Sequence, residues 1–360
     1  MEWKFETQLK ENIQKELPNL LSLHGVTGNE ENVAEYVKNA ATPLVDSIKT
    51  DTLGNIIAYK KGNAKTKLMV AAHMDEIGLI IKYIDSKGFI FAEPVGGVRA
   101  QNLYARECEI KTDRSNIPGI INSIHPGRPY GDDTIPDTNN FFIDIGADNL
   151  QDIRDMGVEI GQPVKFKYSF QKLNNKISGT GLDNRLLIFI LIEVLKMIDL
   201  EEANEIPDIY AAFTAQEEVG GRGAKTATYQ IKPDIALALD ITMANDLPKN
   251  HESEFISSIG DGPAIKVMDN IKRAMIGQVV TRKTINELKG IAFEHNIPFQ
   301  LEVQAAGSTD GAAIHTEGEG VPTGAICLPT RYVHAYELAS IDDIINYSKL
   351  LYESIKYYKN

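Results

Sequence analysis

Apolar positions along this chain keep two different periods, and the switch between them divides it into parts. Near the N-terminus Trp3, Phe5, Leu9, Ile13 and Leu17 are spaced as the buried stripe of one packing helix. "VTGNEENVAEYVKNAATPLV" predicts a second helix, capped by Thr27 or Asn29, with Val33 and Val37 on its inner face. "SIKTDTLGNIIAYKKG" and "TKLMVAAHMDE" read as short β runs. The second is apolar without a break before His73, the mark of a strand covered on both faces.

From Glu76 to about Leu173 the texture changes. Alternating runs such as "GLIIKYI", "GFIFAEPV", "ECEIKT" and "PVKFKYSF" are separated by Gly, Pro, Asn and Asp, with hardly a helix-length pattern among them. That predicts a small all-β unit. From Ile177 helices and strands alternate again. "LDNRLLIFILIEVLKMIDL" is a helix, "DIYAAFTA" a strand, "GRGAKTATYQI" a helix and "PDIALALDIT" a strand. "INELKGIAFEHNI" is a helix, "PFQLEVQAA" and "PTGAICLPT" are strands, and "IDDIINYSKLLYESIKYY" is a closing helix. "GDGPAIKVMD" reads as a turn and a strand, with Asp269 structural. The expected organisation is an α/β body formed by residues 1–75 and 174–360, interrupted by a β domain over 76–173.

A length of 360 residues fits two domains, since single cores rarely grow past about 250–300 residues. The net charge of −13 argues against nucleic acid and anionic membranes as partners, because both need clustered cations. Cys108 and Cys327 are far apart, so neither a disulfide framework nor a thiolate zinc site is expected. No signal-peptide core and no spanning run is present in the sequence, which predicts a cytoplasmic protein.

Candidate chemistry gathers at strand ends. His73 follows "KLMVAA", Asp183 follows "ISGTGL", Glu217 and Glu218 follow "YAAFTAQ", Asp240 closes "IALAL", and His334 follows "AICLPTRYV". In an open α/β sheet the carboxyl ends of strands form the ligand site, so these side chains can converge. Two His, two Asp and two Glu suit a pair of divalent cations such as Zn²⁺, Co²⁺ or Mn²⁺. Adjacent residues on an extended segment point to opposite sides. Of Glu217 and Glu218, therefore, one can ligate while the other moves protons. Singly, each position has a plainer reading: a buried histidine at His73, a helix N-cap at Asp183, acids at a helix N-terminus at Glu217 and Glu218, a loop cap at Asp240, a surface residue at His334. The coincidence of strand ends outweighs these. His24, His125, His251, His295 and His315 end no apolar strand and are expected to be non-ligands.

"VTGNEENV", "DTLGNIIA", "AAHMDEIG", "GLDNR", "FTAQEEVGGRGA", "ALDIT", "GDGPAI", "GSTDGAAI" and "GVPTGAICLPTRYVHA" resemble, in order, the motifs of the M42 metallo-aminopeptidases, the glutamyl and deblocking aminopeptidase type. The resemblance implies a three-layer αβα catalytic domain with a mixed sheet, interrupted by a small PDZ-like or barrel β domain. It also implies two divalent ions per subunit, with Asp183 bridging, His73 and Asp240 completing one site, and Glu218 and His334 the other. Glu217 would be the general base and then acid, and Asp75 would orient the His73 imidazole. An insertion between His73 and Asp183 fits M42 rather than the M20 carboxypeptidases, whose insertion follows the paired glutamates. The implied partners are peptide substrates and further copies of the chain, as a dimer building block and a tetrahedral dodecamer.

The sequence departs from the family pattern at Gly221, where Leu is usual and looser packing behind the glutamates is expected. Asn184 stands where Asp is frequent, Ala335 where Ser is common, and "IINSIHPGRPYGDD" where a Pro-Pro-His segment is often found. The substrate pocket is expected to draw on Ser308, Thr309, Asp310, Gly311 and Arg331. Alternatives are an N-acyl or small-amide hydrolase with the same centre, a glycoside hydrolase, which needs an acid and a nucleophile but no metal, and an inactive peptide-binding homologue.

Overall fold

A computed structural model describes residues 3–63, 65–123, 137–269 and 277–359. Its body is built on an eleven-stranded mixed sheet among the described residues. The order runs Ser47–Thr50, Ile56–Lys60, Asp208–Thr214, Lys67–His73, Ile235–Met243, Thr323–Arg331, Glu337–Ser340, Lys176–Gly179 and Phe170–Leu173, with Ala264–Met268 and Gln300–Val303 off this path. The four central strands, from Asp208–Thr214 to Thr323–Arg331, are mutually parallel. Their unbroken apolarity has a simple cause. Leu68, Val70 and Ala72 enter the larger core, while Met69 and Ala71 enter a second core on the opposite face. On the first face lies the helix Leu182–Ile198, almost entirely buried, and on the second Arg222–Ile231.

The insertion is a closed six-stranded barrel, ordered Gly78–Ile84, Ile90–Val95, Phe141–Asp144, Asn116–Ser123, Arg106–Lys111 and Pro163–Phe166, around its own core. The strand Phe170–Leu173, counted above with the insertion, pairs instead with Lys176–Gly179 in the large sheet. A short helix, Leu150–Asp155, closes one side of the barrel domain, capped by the Asn149 side chain. Buried Lys165 ties the barrel to the body, its ammonium donating to the carbonyls of Leu21 and Leu23 at 2.7 and 2.5 Å, respectively.

Two local expectations change. The N-terminal stripe is carried by two helices, Glu6–Lys15 and Leu17–Ser22, the second with Pro18 in its first turn, where a missing N–H costs nothing. Leu9, Ile13 and Leu17 are buried as the spacing requires. The helix Glu31–Ala41 begins without a side-chain cap from Thr27 or Asn29, because the Thr27 hydroxyl donates to Asp75 at 2.8 Å. No helix among the described residues is long and apolar enough to cross a membrane.

Candidate metal centre

Strand register assembles the site. Thr214 pairs with His73, and Ala238 with Ala71, so Asp240 arrives level with His73 at the carboxyl edge. Asp183 follows the strand Lys176–Gly179, at non-helical φ and ψ before the helix is established. His334 lies in the turn between Thr323–Arg331 and Glu337–Ser340 at φ 65°. The loop after Asp208–Thr214 turns sharply, with Gln216 at φ 58°, and presents Glu217 and Glu218.

Asp183 stands at the centre. One of its carboxylate oxygens lies 3.2 Å from His73 Nε2 and the other 3.3 Å from His334 Nε2. Asp240 is 3.8 Å from His73 Nε2, and Glu218 is 3.5 Å from His334 Nε2. Two three-residue groups result, His73–Asp183–Asp240 and Asp183–Glu218–His334, each with its donor atoms within 4.8 Å of one another. Glu217 belongs to neither, although its carboxylate reaches 3.9 Å from His73 Nε2. Both imidazoles are turned the same way. His73 Nδ1 meets the Asp75 carbonyl at 3.1 Å and His334 Nδ1 the Gly97 carbonyl at 3.0 Å, so each Nε2 faces inward with its lone pair free to coordinate.

The residues fit divalent cations. Glu218 Oε1 is buried without a hydrogen-bond partner, a costly condition for a carboxylate oxygen unless a cation meets it, and Asp183 Oδ1 is buried with the His73 ring nitrogen at 3.2 Å as its neighbour. Burial foremost, with the Asp183 charge adding and a histidine opposing, pushes Glu218 up to about 7 and Asp240 up to about 6. Burial, helped by Asp240, Asp310 and Glu218 against His73, raises Glu217 well above the carboxylate range. Against burial, Asp183 and Glu218 push His334 up to about 12, and Asp183, Asp240 and Asp75 raise His73. Without cations the cluster retains protons to offset its crowded negative charge.

Asp75 lies against the His73 ring with both its carbonyl, at 3.1 Å from Nδ1, and its carboxylate, at 3.5 Å; that carboxylate also accepts the main-chain N–H groups of Glu217 and Glu218, at 2.9 and 3.2 Å. Glu30 holds the preceding turn, accepting from Gln216 N–H at 3.2 Å. Arg185, within "GLDNR", is fully buried and donates to the Met74 carbonyl and Glu76. Gly221 has φ 59°, and a Cβ there would stand 2.8 Å from Ala313 Cβ. The glycine therefore sits in a tight, left-handed position, and the loosening expected at Gly221 does not occur.

A cleft of about 860 Å³ opens over the cluster, lined also by Ser308, Thr309, Gln304, Thr242 and Arg99. Three pocket candidates lie off its walls. Asp310 is buried with an acceptor oxygen turned to the Thr214 hydroxyl, Gly311 is buried beside it, and Arg331 pairs with Asp246. The remaining described histidines join neither group. His24 is buried, pushed down to about 3 by burial and then by Lys165, Lys111 and Arg185. His125 and most of "IINSIHPGRPYGDD" lie outside the described residues. Asp269 is buried and accepts from Gln278 N–H, consistent with a structural part.

The sequence profile described as M42 glutamyl aminopeptidase matches residues 54–350. The chain belongs to that family. This M42 peptidase is 41% identical to a putative aminopeptidase of Acetivibrio thermocellus over 92% of its own length and 94% of that protein. Its fold superposes on an aminopeptidase from the archaeon Desulfurococcus kamchatkensis with a TM-score of 0.90, at 35% identity, over 98% of this chain and 96% of that one. It also superposes on the Pyrococcus horikoshii TET1 peptidase, described as assembling into a tetrahedron or a large octahedral shell. There the TM-score is 0.84 at 28% identity, covering 96% and 99% of the two chains.

Proposed function

We propose that this M42 peptidase removes N-terminal residues from short peptides with two divalent cations per subunit. His73, Asp183 and Asp240 would hold one, and Asp183, Glu218 and His334 the other. The observation that supports this most is Asp183, whose two oxygens face two different inward-turned imidazoles. When bound, such a pair supplies Lewis-acid polarisation of the scissile carbonyl and acidifies water. Zinc, cobalt and manganese all suit the nitrogen and oxygen donors. Glu217, free of both ligand groups, takes a proton from the attacking water as its oxygen adds to the carbonyl carbon. Glu217 then returns that proton to the departing amine nitrogen as the C–N bond breaks. Its raised proton affinity suits both halves of the transfer. Asp75 keeps Glu217 and Glu218 apart in role by fixing their main-chain amides.

The assembly we infer is a homo-oligomer with the barrel domain as the dimer contact and a tetrahedral dodecamer as the complete particle. The shells described for the P. horikoshii relative support it. The test of the function is hydrolysis of matched peptides with free and N-acetylated amino ends by chelator-stripped and metal-restored protein. Cleavage of only the free-amino series, dependent on metal, is expected. Equal cleavage of the acetylated series would favour the small-amide reading, and full activity in the stripped protein would end the metal reading.

A further inference from the structure

Glu337 belongs to neither ligand group, yet it joins a residue of each strand end that supplies the second one. Its strand, Glu337–Ser340, is hydrogen-bonded on one side to Thr323–Arg331, which leads to His334, and on the other to Lys176–Gly179, which leads to Asp183. The side chain, 2% exposed with its residue, uses both oxygens. Oε1 accepts the His334 N–H at 3.1 Å, and Oε2 accepts the Asp183 N–H at 3.2 Å. Neither amide can find a partner in regular structure, since His334 has left-handed φ and Asp183 precedes the regular part of its helix.

We propose that Glu337 is a positioning residue that clamps Asp183 and His334 to each other and so sets the second cation site, Asp183–Glu218–His334. This rests on the two-cation reading above. The first site is less exposed to the clamp, because His73 is fixed by the Asp75 carbonyl and Asp240 is held inside the strand Ile235–Met243, opposite Cys327. A glutamine retains the shape of Glu337 but offers one acceptor oxygen, so one amide faces an NH₂ donor. An aspartate retains the charge but is one methylene too short to reach both amides.

The experiment is a Co²⁺ titration of chelator-stripped wild type, Glu337→Gln and Glu337→Asp, read by calorimetry and by the visible cobalt spectrum. Amide exchange on peptides containing Asp183 and His334 is measured in parallel. Wild type should take two equivalents. In both variants one equivalent should weaken by about 10- to 100-fold and the other, which shares only Asp183 with the clamp, by much less, and exchange at the two segments should accelerate. Unchanged binding of both equivalents, equal weakening of both, or wild-type behaviour of Glu337→Asp would overturn the proposal. If wild type takes up no cobalt, the two-cation reading fails on its own. The clamp itself is then judged by exchange, and unaltered protection in Glu337→Gln would refute it.

Discussion

Replacing Glu217 with glutamine probes the proposed division of labour most directly. The change keeps side-chain shape and leaves the Glu217 N–H on Asp75 Oδ1 at 2.9 Å, so the loop should not move. Both ligand groups keep all their donors, since Glu217 belongs to neither. The lost property is proton exchange, because an amide cannot accept and return a proton at neutral pH. Positioned general acid–base catalysis contributes about 10²- to 10⁴-fold, or about 3–5 kcal/mol of transition-state stabilisation. We therefore expect kcat on aminoacyl p-nitroanilides to fall by about 10²- to 10⁴-fold with KM little changed. Metal content by mass spectrometry should stay at two ions per chain. A kcat within about threefold of wild type would refute the proton-transfer role. Loss of an ion would show that Glu217 is a ligand after all.

Glu218→Ala removes a donor of one group only, so one of two bound ions should be lost or weakened about 10- to 100-fold, measured by cobalt titration. Gly221→Leu introduces a side chain at φ 59° against Ala313 and should cost about 2–4 kcal/mol in urea unfolding. Stability of the stripped protein should fall as pH rises from 5 to 8, read as a declining Tm. The cause is that Glu218 at about 7 and Asp240 at about 6 hold protons more tightly folded than unfolded, so their contributions vanish as pH passes those values, while that of His334, pushed up to about 12, begins to decline above the ordinary imidazole value. The Tm increase on adding Zn²⁺ should accordingly widen over the same range, since cations displace those protons.

The sequence by itself determined the alternation of elements and the strands that lead to His73, Glu217, Glu218 and His334, whereas Asp240, read as closing "IALAL", lies inside a strand that runs on to Met243. Burial on two faces imposes unbroken apolarity on a strand such as Lys67–His73, and that pattern is local and readable. The different tasks expected for Glu217 and Glu218 rest on an extended segment, whereas the structure places both in the loop that follows the left-handed Gln216. Only the tertiary structure decided what holds these side chains. Asp75 lies 142 residues from Glu217, and it receives that amide because the Gln216 turn folds back over the strand His73 ends. Glu337 meets Asp183 across 154 residues through a shared strand, and Gly97 of the barrel reaches His334 across 237. Main-chain amides have no residue identity, so no motif marks where a carboxylate will find one. Apolar periodicity is written along the chain, whereas the partner of a buried polar group is set by register and loop closure between distant segments.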